Sequence, residues 1–141
     1  TYQNLRSGRI WGFDGQLSIE STHQVRHRIA WQWQRGEADN GEILDDLPPP
    51  EVSYMGTWRS GAVSVAVDLG YRFKRADHGP SEIPLGSSLI GGAKIAWDLS
   101  PDWSASFAVS NGFDRTYRTS ADEGAPLANE RAAHLTLRWT P

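Results

Sequence analysis

The stretch WSASFAVSNGFDRTYRTSADEGAP, residues 103–126, decides how the rest of the chain is read. Its first half alternates strictly. Trp103, Ala105, Phe107 and Val109 share one face of an extended strand, and Ser104, Ser106, Ala108 and Ser110 share the other. The second half breaks into glycine and charge. A half-buried strand of a soluble sheet reads this way, and so does a strand whose outer face meets lipid. The fold turns on which solvent each face sees.

Composition narrows the choice. The chain has 141 residues, enough for one domain, but only 38% of them are apolar. A mean hydropathy of −0.53 and the lack of any run near 18 apolar residues argue against membrane helices. Neither argues against a membrane β-barrel, whose strands show lipid only every second residue. Seven Trp and 14 Gly need an explanation in a chain this short. A net charge of −3 offers no footprint for nucleic acid, and the absence of Cys removes disulfides and thiolate metal sites.

Periodicity of two dominates the chain, and no amphipathic helix stands out. Seven strands are predicted, at about residues 8–20, 23–35, 51–59, 62–74, 88–99, 102–112 and 131–140. In the fourth, Val63, Val65, Val67, Leu69, Tyr71 and Phe73 oppose Ser64, Asp68, Gly70 and Arg72. In the second, Val25, Ile29, Trp31 and Trp33 oppose Gln24, Arg26, Arg28, Gln32 and Gln34. Soluble sheets use strands of about five or six residues, whereas a tilted membrane-spanning strand needs about 9–11. The polar faces also carry too many charges to pack on a second sheet.

The links alternate in length. Short turns are expected near Ser21–Thr22, Ser60–Gly61 and Ser100–Pro101, and long polar links over Gly36–Pro50, Lys74–Ser87 and Phe113–Glu130. Outer-membrane barrels have short periplasmic turns and long external loops. In that orientation Trp58, Trp97, Trp103 and Trp139 lie near the periplasmic strand ends, and Trp11, Trp31, Trp33, Tyr71 and Phe73 near the external ends. All point outward, as two aromatic girdles at the lipid interfaces would. His27 breaks the pattern, because alternation puts it among the lipid-facing residues. Seven strands leave two open edges, so either a further strand lies at about residues 1–7 or the segment belongs to a larger barrel.

Several motifs bear on that choice. YQNLRSGRIWGFDGQLSIE, residues 2–20, pairs a tyrosine–polar–Asn segment with an Ile–aromatic–Gly strand start; Asp14 stands where Glu is usual. LPPPEVSY, residues 47–54, places a Pro-Pro segment before a strand. SNGFDRTYR, residues 110–118, resembles an Asn–Leu–Phe–Asp–x–x–Tyr signature with Gly112 in place of Leu, and RAAHLTLRWTP looks like a terminal strand. In order and spacing these resemble the C-terminal β-barrel segment of a TonB-dependent outer-membrane receptor. A final aromatic residue is usual there, and this chain ends Trp139–Thr140–Pro141.

The resemblance implies an all-β fold: an antiparallel transmembrane β-barrel segment of about seven strands, with residues 1–141 the C-terminal part of a roughly 22-stranded barrel. It implies location in the bacterial outer membrane and active import of a scarce ligand, most often a ferric siderophore or similar metal complex. Its partners would be the remaining barrel strands and plug domain, the inner-membrane TonB system acting through the plug, and the lipid bilayer. No enzymatic chemistry, cofactor or metal site is expected of the chain itself.

Arg26, Arg28, Arg72, Lys94 and Arg138 are candidate lumen-facing residues that could guide an anionic ligand; pairing with wall or plug carboxylates is the plainer reading. The acidic links Gly36–Pro50 and Phe113–Glu130 are read as solvated loops, with contact to ligand or partner as the sharper alternative. His23 and His27 lie four apart, which on a strand is no helical metal pair. Asp77–His78 near Glu82 lacks the nucleophile that a hydrolase would need. Gly91–Gly92 inside a strand suggests a bend or a close approach. Two rivals remain: a small self-contained barrel with an adhesion or structural role, and a soluble β-sandwich using its Trp set to bind carbohydrate.

Overall fold

The computed structural model describes residues 7–141. Seven strands form one antiparallel sheet in chain order: β1 (Gly8–Thr22), β2 (Val25–Ala38), β3 (Glu51–Ser60), β4 (Val63–Arg72), β5 (Ser88–Asp98), β6 (Trp103–Ser110) and β7 (Ala132–Trp139). Every neighbour in the sheet is a neighbour in sequence, so the sheet is a plain meander. The strand considered at residues 1–7 falls, but for Ser7, outside the described residues.

The register joins the apolar positions of all seven strands into one face. Leu17 lies opposite Ile29, Ile29 opposite Tyr54, and Tyr54 opposite Leu69. Ile95 lies opposite both Val65 and Phe107, and Phe107 opposite Leu135. The second face runs through Ser18, Arg28, Met55, Asp68 and Gly92. A slip of one residue in any strand would exchange its two faces.

No second layer covers either face among the described residues, which excludes a β-sandwich there. Nor does β1 pair with β7, so these strands do not close on themselves as a small barrel. Among the described residues no large side chain is fully buried. The buried apolar residues, Ala38, Leu47, Leu85 and Ala121, lie at the end of β2 or in the long loops. The sheet thus has no hydrophobic core of its own.

The first turn lies two residues later than its predicted place near Ser21–Thr22. Thr22 still pairs with Val25, and the chain reverses at His23–Gln24. Thr22 Oγ1 accepts hydrogen bonds from the amides of Gln24 (3.2 Å) and Val25 (3.1 Å), holding the reversal there. The register shifts between Glu20 and Thr22, a bulge that keeps Glu20 opposite Arg26 despite the extra residue. β6 ends at Ser110, earlier than predicted, because Asn111 and Asp114 adopt positive φ (47° and 51°) and turn the chain away from the sheet.

Candidate functional site

The five cations singled out from the sequence share the polar face but divide between its two ends. Arg26, Arg28, Lys94 and Arg138 lie toward the short turns, opposite Glu20, Ser18, Ala66 and Ser104 in that order. Arg59, which sequence reasoning did not single out, joins them opposite Ser64. The outward Trp58 beside it was the available signal, since alternation forces Arg59 to the other face. Arg26 pairs with Glu20, its Nε donating at 3.0 Å.

Arg72 stands apart at the loop end. Its Nε donates to Glu51 Oε2 at 2.9 Å, across the β3–β4 register. The ring of Tyr117, from the third long loop, lies 5.5 Å from its guanidinium carbon. Its Nη1 is sealed from solvent without a hydrogen-bond partner. Two clefts flank it. One, of about 290 Å³, is lined by Pro49, Leu85, Ser88, Tyr117 and Leu127; the other, of about 240 Å³, by Gln32, Asp46, Pro48, Glu51 and Ser120. Tyr117, Glu51 and Gln32 complete this site, and only the tyrosine of the SNGFDRTYR motif could have been flagged in advance.

The long loops are corrected in one respect: they are packed together rather than simply solvated. Glu82 in the second loop (residues 73–87) is the hub, its side chain 2% exposed. It accepts from Arg75 Nη2 at 2.8 Å, from the amide of Gly79 at 2.9 Å, and from the amide of Asp46 in the first loop (residues 39–50) at 2.9 Å. Arg75 also donates to the carbonyl oxygens of Leu47 and Leu44. The amide of Ile83 donates to Ala121 in the third loop (residues 111–131) at 2.8 Å. Three loops from three hairpins thus share one polar junction.

The SNGFDRTYR motif anchors the third loop. Asn111 Nδ2 donates to the carbonyls of Arg115 (2.9 Å) and Asn129 (3.0 Å), and its Oδ1 accepts from the amide of Arg115 (3.0 Å). Asp114 Oδ1 accepts from the amide of Arg131, just before β7, at 3.1 Å. Asn and Asp suit this place because they tolerate positive φ and can bond nearby backbone. Gly91 gives the close approach its strand position suggested: a Cβ there would meet Phe113 at 2.9 Å.

On the apolar face the nine aromatics form two bands. Trp58, Trp97, Trp103 and Trp139 lie toward the short turns, with the rings of Trp103 and Trp139 6.2 Å apart. Trp31 and Tyr71 both lie opposite Val52, toward the long loops. Trp33 stacks on Phe13 at 5.7 Å, and Phe73 meets Tyr71 edge-on at 4.9 Å although it lies just past β4. Trp11, opposite Arg35, stands above this band on the longer β1–β2 hairpin.

His27 is accommodated on that face by polar neighbours. Its Nδ1 lies 2.9 Å from Tyr54 Oη, and its Nε2 lies 3.2 Å from Ser21 Oγ. Opposite it, Gly56 leaves room for the tyrosine: a Cβ would lie 2.6 Å from the phenol oxygen. His23 sits in the turn, away from this contact. The Asp77–His78–Glu82 grouping likewise dissolves, since Glu82 is held by Arg75 and Asp77 lies 3.5 Å from Arg35. No cluster of three or more His, Asp or Glu suited to a metal ion occurs among the described residues.

Solved structures match this arrangement. The copper transporter OprC matches with a TM-score of 0.84 at 15% identity, over 94% of this chain and 24% of that protein. The ferripyoverdine receptor of the outer membrane of Pseudomonas aeruginosa matches with a TM-score of 0.76 at 16% identity, over 94% and 19%. The siderophore receptor PiuA from Acinetobacter baumannii matches with a TM-score of 0.73 at 16% identity, over 94% and 22%. The fold is that of a TonB-dependent receptor's barrel wall. The chain spans about a fifth to a quarter of the length of these receptors. No protein-family model matches the sequence, and a search of curated proteins gives no match. In a receptor-barrel fold, an open meander with an apolar and a polar face is what a segment of wall should be.

Proposed function

We propose that this chain is the C-terminal barrel segment of a TonB-dependent transporter in the bacterial outer membrane, importing a scarce ligand such as a ferric siderophore or a related metal complex. The observation that carries the reading is the shared register. Seven strands put every long apolar run on one face and most of the charge on the other, with no core and with both edges open among the described residues. In water such a sheet would expose a broad apolar surface. In a bilayer that surface faces acyl chains, and the polar face lines a hydrated lumen.

Dimensions support it. From Val63 to Tyr71 the backbone advances about 27 Å at roughly 3.4 Å per residue. A strand tilt of about 40° reduces this to about 20 Å of height, close to the apolar band of about 25 Å in such barrels. Trp58, Trp97, Trp103 and Trp139 then form the periplasmic girdle, and Trp11, Trp31, Trp33, Tyr71 and Phe73 the external one. Arg26, Arg28, Lys94 and Arg138 line the lumen. Arg72 sits at its external mouth, its charge already met by Glu51.

On this reading β1 pairs with a preceding strand outside the chain and β7 with the first strand of the same barrel. Each edge group left unpaired in hydrocarbon would cost several kcal/mol. A plug domain and the inner-membrane TonB system complete the transporter, and this chain forms wall, lumen and external loops.

Deleting the full-length protein should abolish energy-dependent uptake of one ferric complex under iron limitation, and re-expression should restore it. Unchanged uptake across a panel of ferric siderophores and copper would overturn the cargo assignment. A protein soluble and monodisperse without detergent would overturn the membrane assignment itself.

A further inference from the structure

Three polar side chains sit together on the face read as lipid-facing, where aliphatic residues would cost less. Ser21 Oγ lies 3.2 Å from His27 Nε2, and His27 Nδ1 lies 2.9 Å from Tyr54 Oη. With the imidazole proton on Nδ1, that nitrogen donates to the phenol oxygen, and Nε2 is left to accept from the serine hydroxyl. A hydroxyl, an imidazole placed to take its proton and a third group that fixes the imidazole are the parts of an activated nucleophile. The Asp77–His78 pair lacks such a hydroxyl; His27 has one.

Local backbone features assemble the trio. Ser21 is the extra residue of the β1 bulge, opposite no residue of β2, and bulges re-aim side chains. His27 lies across the hairpin turn, opposite both Ile19 and Gly56. Gly56 has no side chain to fill the space beside the imidazole, so the Tyr54 phenol lies there. The neighbouring hydroxyl, Thr22 Oγ1, is engaged by the turn amides of Gln24 and Val25. Ser21 is exposed and His27 half-buried, so both are reached from outside the sheet.

Depth selects the substrate. Trp58 of the short-turn band lies opposite Val25, two residues from His27. The imidazole therefore sits about 7 Å further along the strand, at roughly 3.4 Å per residue. Aromatic bands mark the headgroup level of a bilayer. Just inside that level lie the ester carbonyls that join acyl chains to glycerol. Beyond His27 the apolar face continues through the exposed side chains of Ile19, Leu17 and Val67, a bed for an acyl chain.

We propose that Ser21, His27 and Tyr54 form a hydrolytic site for the acyl esters of phospholipids in the periplasmic leaflet, an activity beside transport. The inference rests on the reading of this face as lipid-facing. Ser21 Oγ bonds to the ester carbonyl carbon as its proton passes to His27 Nε2. The carbon–oxygen bond to glycerol then breaks, and the departing oxygen takes that proton, leaving an acyl-serine and a lysophospholipid. Water next gives a proton to Nε2 while its oxygen bonds to the acyl carbon. The bond to Oγ breaks, Oγ recovers the proton, and a fatty acid leaves. Ser21 and His27 are the catalytic residues and Tyr54 a positioning residue. Its phenol is neutral, so it orients the imidazolium without the charge a carboxylate brings, and turnover should be slow.

The test uses the full-length protein, purified in detergent and reconstituted in vesicles of phosphatidylethanolamine and phosphatidylglycerol. Mass spectrometry should show lysophospholipid and fatty acid accumulating in equal amounts, the rate falling about 100-fold or more in Ser21→Ala and His27→Ala. A fluorophosphonate, which esterifies activated serines, should label Ser21 in the parent protein and not in His27→Ala. In Tyr54→Phe kcat should fall about tenfold with KM unchanged, a split that lost packing alone would not give. All three variants should keep the heat-modifiable migration of a folded barrel on gels. Equal lipid cleavage by Ser21→Ala, or no label on Ser21 in the parent, would overturn the proposal. Hydrolysis of a water-soluble short-chain ester without cleavage of vesicle lipid would overturn the substrate class. A parent protein without heat-modifiable migration would overturn the barrel reading, a failure distinct from a barrel whose Ser21 is inert.

Discussion

Leu135, in the last strand, is 78% exposed, whereas Leu85, in a long loop, is 8% exposed. In most water-soluble proteins the strand residue would be inside and the loop residue outside. The inversion separates two regions built on different principles. The sheet is stabilised by hydrogen bonds between neighbours in sequence and leaves its apolar face for another phase to cover. The loops have no regular ladder, so they are held by buried polar contacts such as the Arg75–Glu82 pair and by a few buried aliphatic groups. The region that looks regular depends on its surroundings; the region that looks irregular packs on itself.

The sharpest way to break this comparison is at Glu82. Glu82→Ala leaves the Arg75 guanidinium buried and unpaired, a change of the kind that costs about 3–5 kcal/mol. Hydrogen exchange should accelerate in residues 39–50, 73–87 and 111–131 of the full-length protein, with the strands unchanged. Unaltered protection in all three loops would show that the junction does not hold them together.

The next effect belongs to the sheet. Phe107→Arg, on the apolar face at mid-strand, should cost roughly 2–4 kcal/mol in a folding assay in lipid, and Ser106→Arg on the opposite face much less. Equal costs would mean that the two faces do not see different solvents. A smaller effect is expected where a polar group sits on the apolar face. A double-mutant cycle between His27→Phe and Tyr54→Phe should return about 1 kcal/mol of coupling, the usual net worth of one hydrogen bond; zero coupling would leave His27 unexplained. The smallest should be Glu20→Gln. Its ion pair with Arg26 is exposed, and such pairs contribute about 0–1 kcal/mol. A loss well above that would show that this end of the polar face is drier than the sheet alone implies.

Much of this was legible in the sequence. All seven strands were, because the side-chain period of two is written locally in each. The faces were legible for the same reason, and the register joins them from Leu17 to Leu135, with His27 the polar residue on the apolar side and Met55 the apolar one on the polar side. The turn at His23–Gln24 was missed because a bulge of one residue has no periodic signature. Arg72 was picked out as a cation on the correct face, but neither its bond to Glu51 nor the ring of Tyr117 could be read from its neighbours in sequence.

Alternation, strand length and the spacing of turns are properties of a few consecutive residues. The sequence by itself therefore determined that the chain is an antiparallel meander with one apolar and one charged face. What joins residue 75 to 47, 46 to 82 and 111 to 129 depends on how three flexible links close over one another. Loop closure costs entropy that grows only slowly with length, so no local pattern marks which distant groups will meet. Only the tertiary structure decided that most of the buried residues among those described lie in the long polar loops, and that Arg72 and Arg75 are paired with carboxylates there.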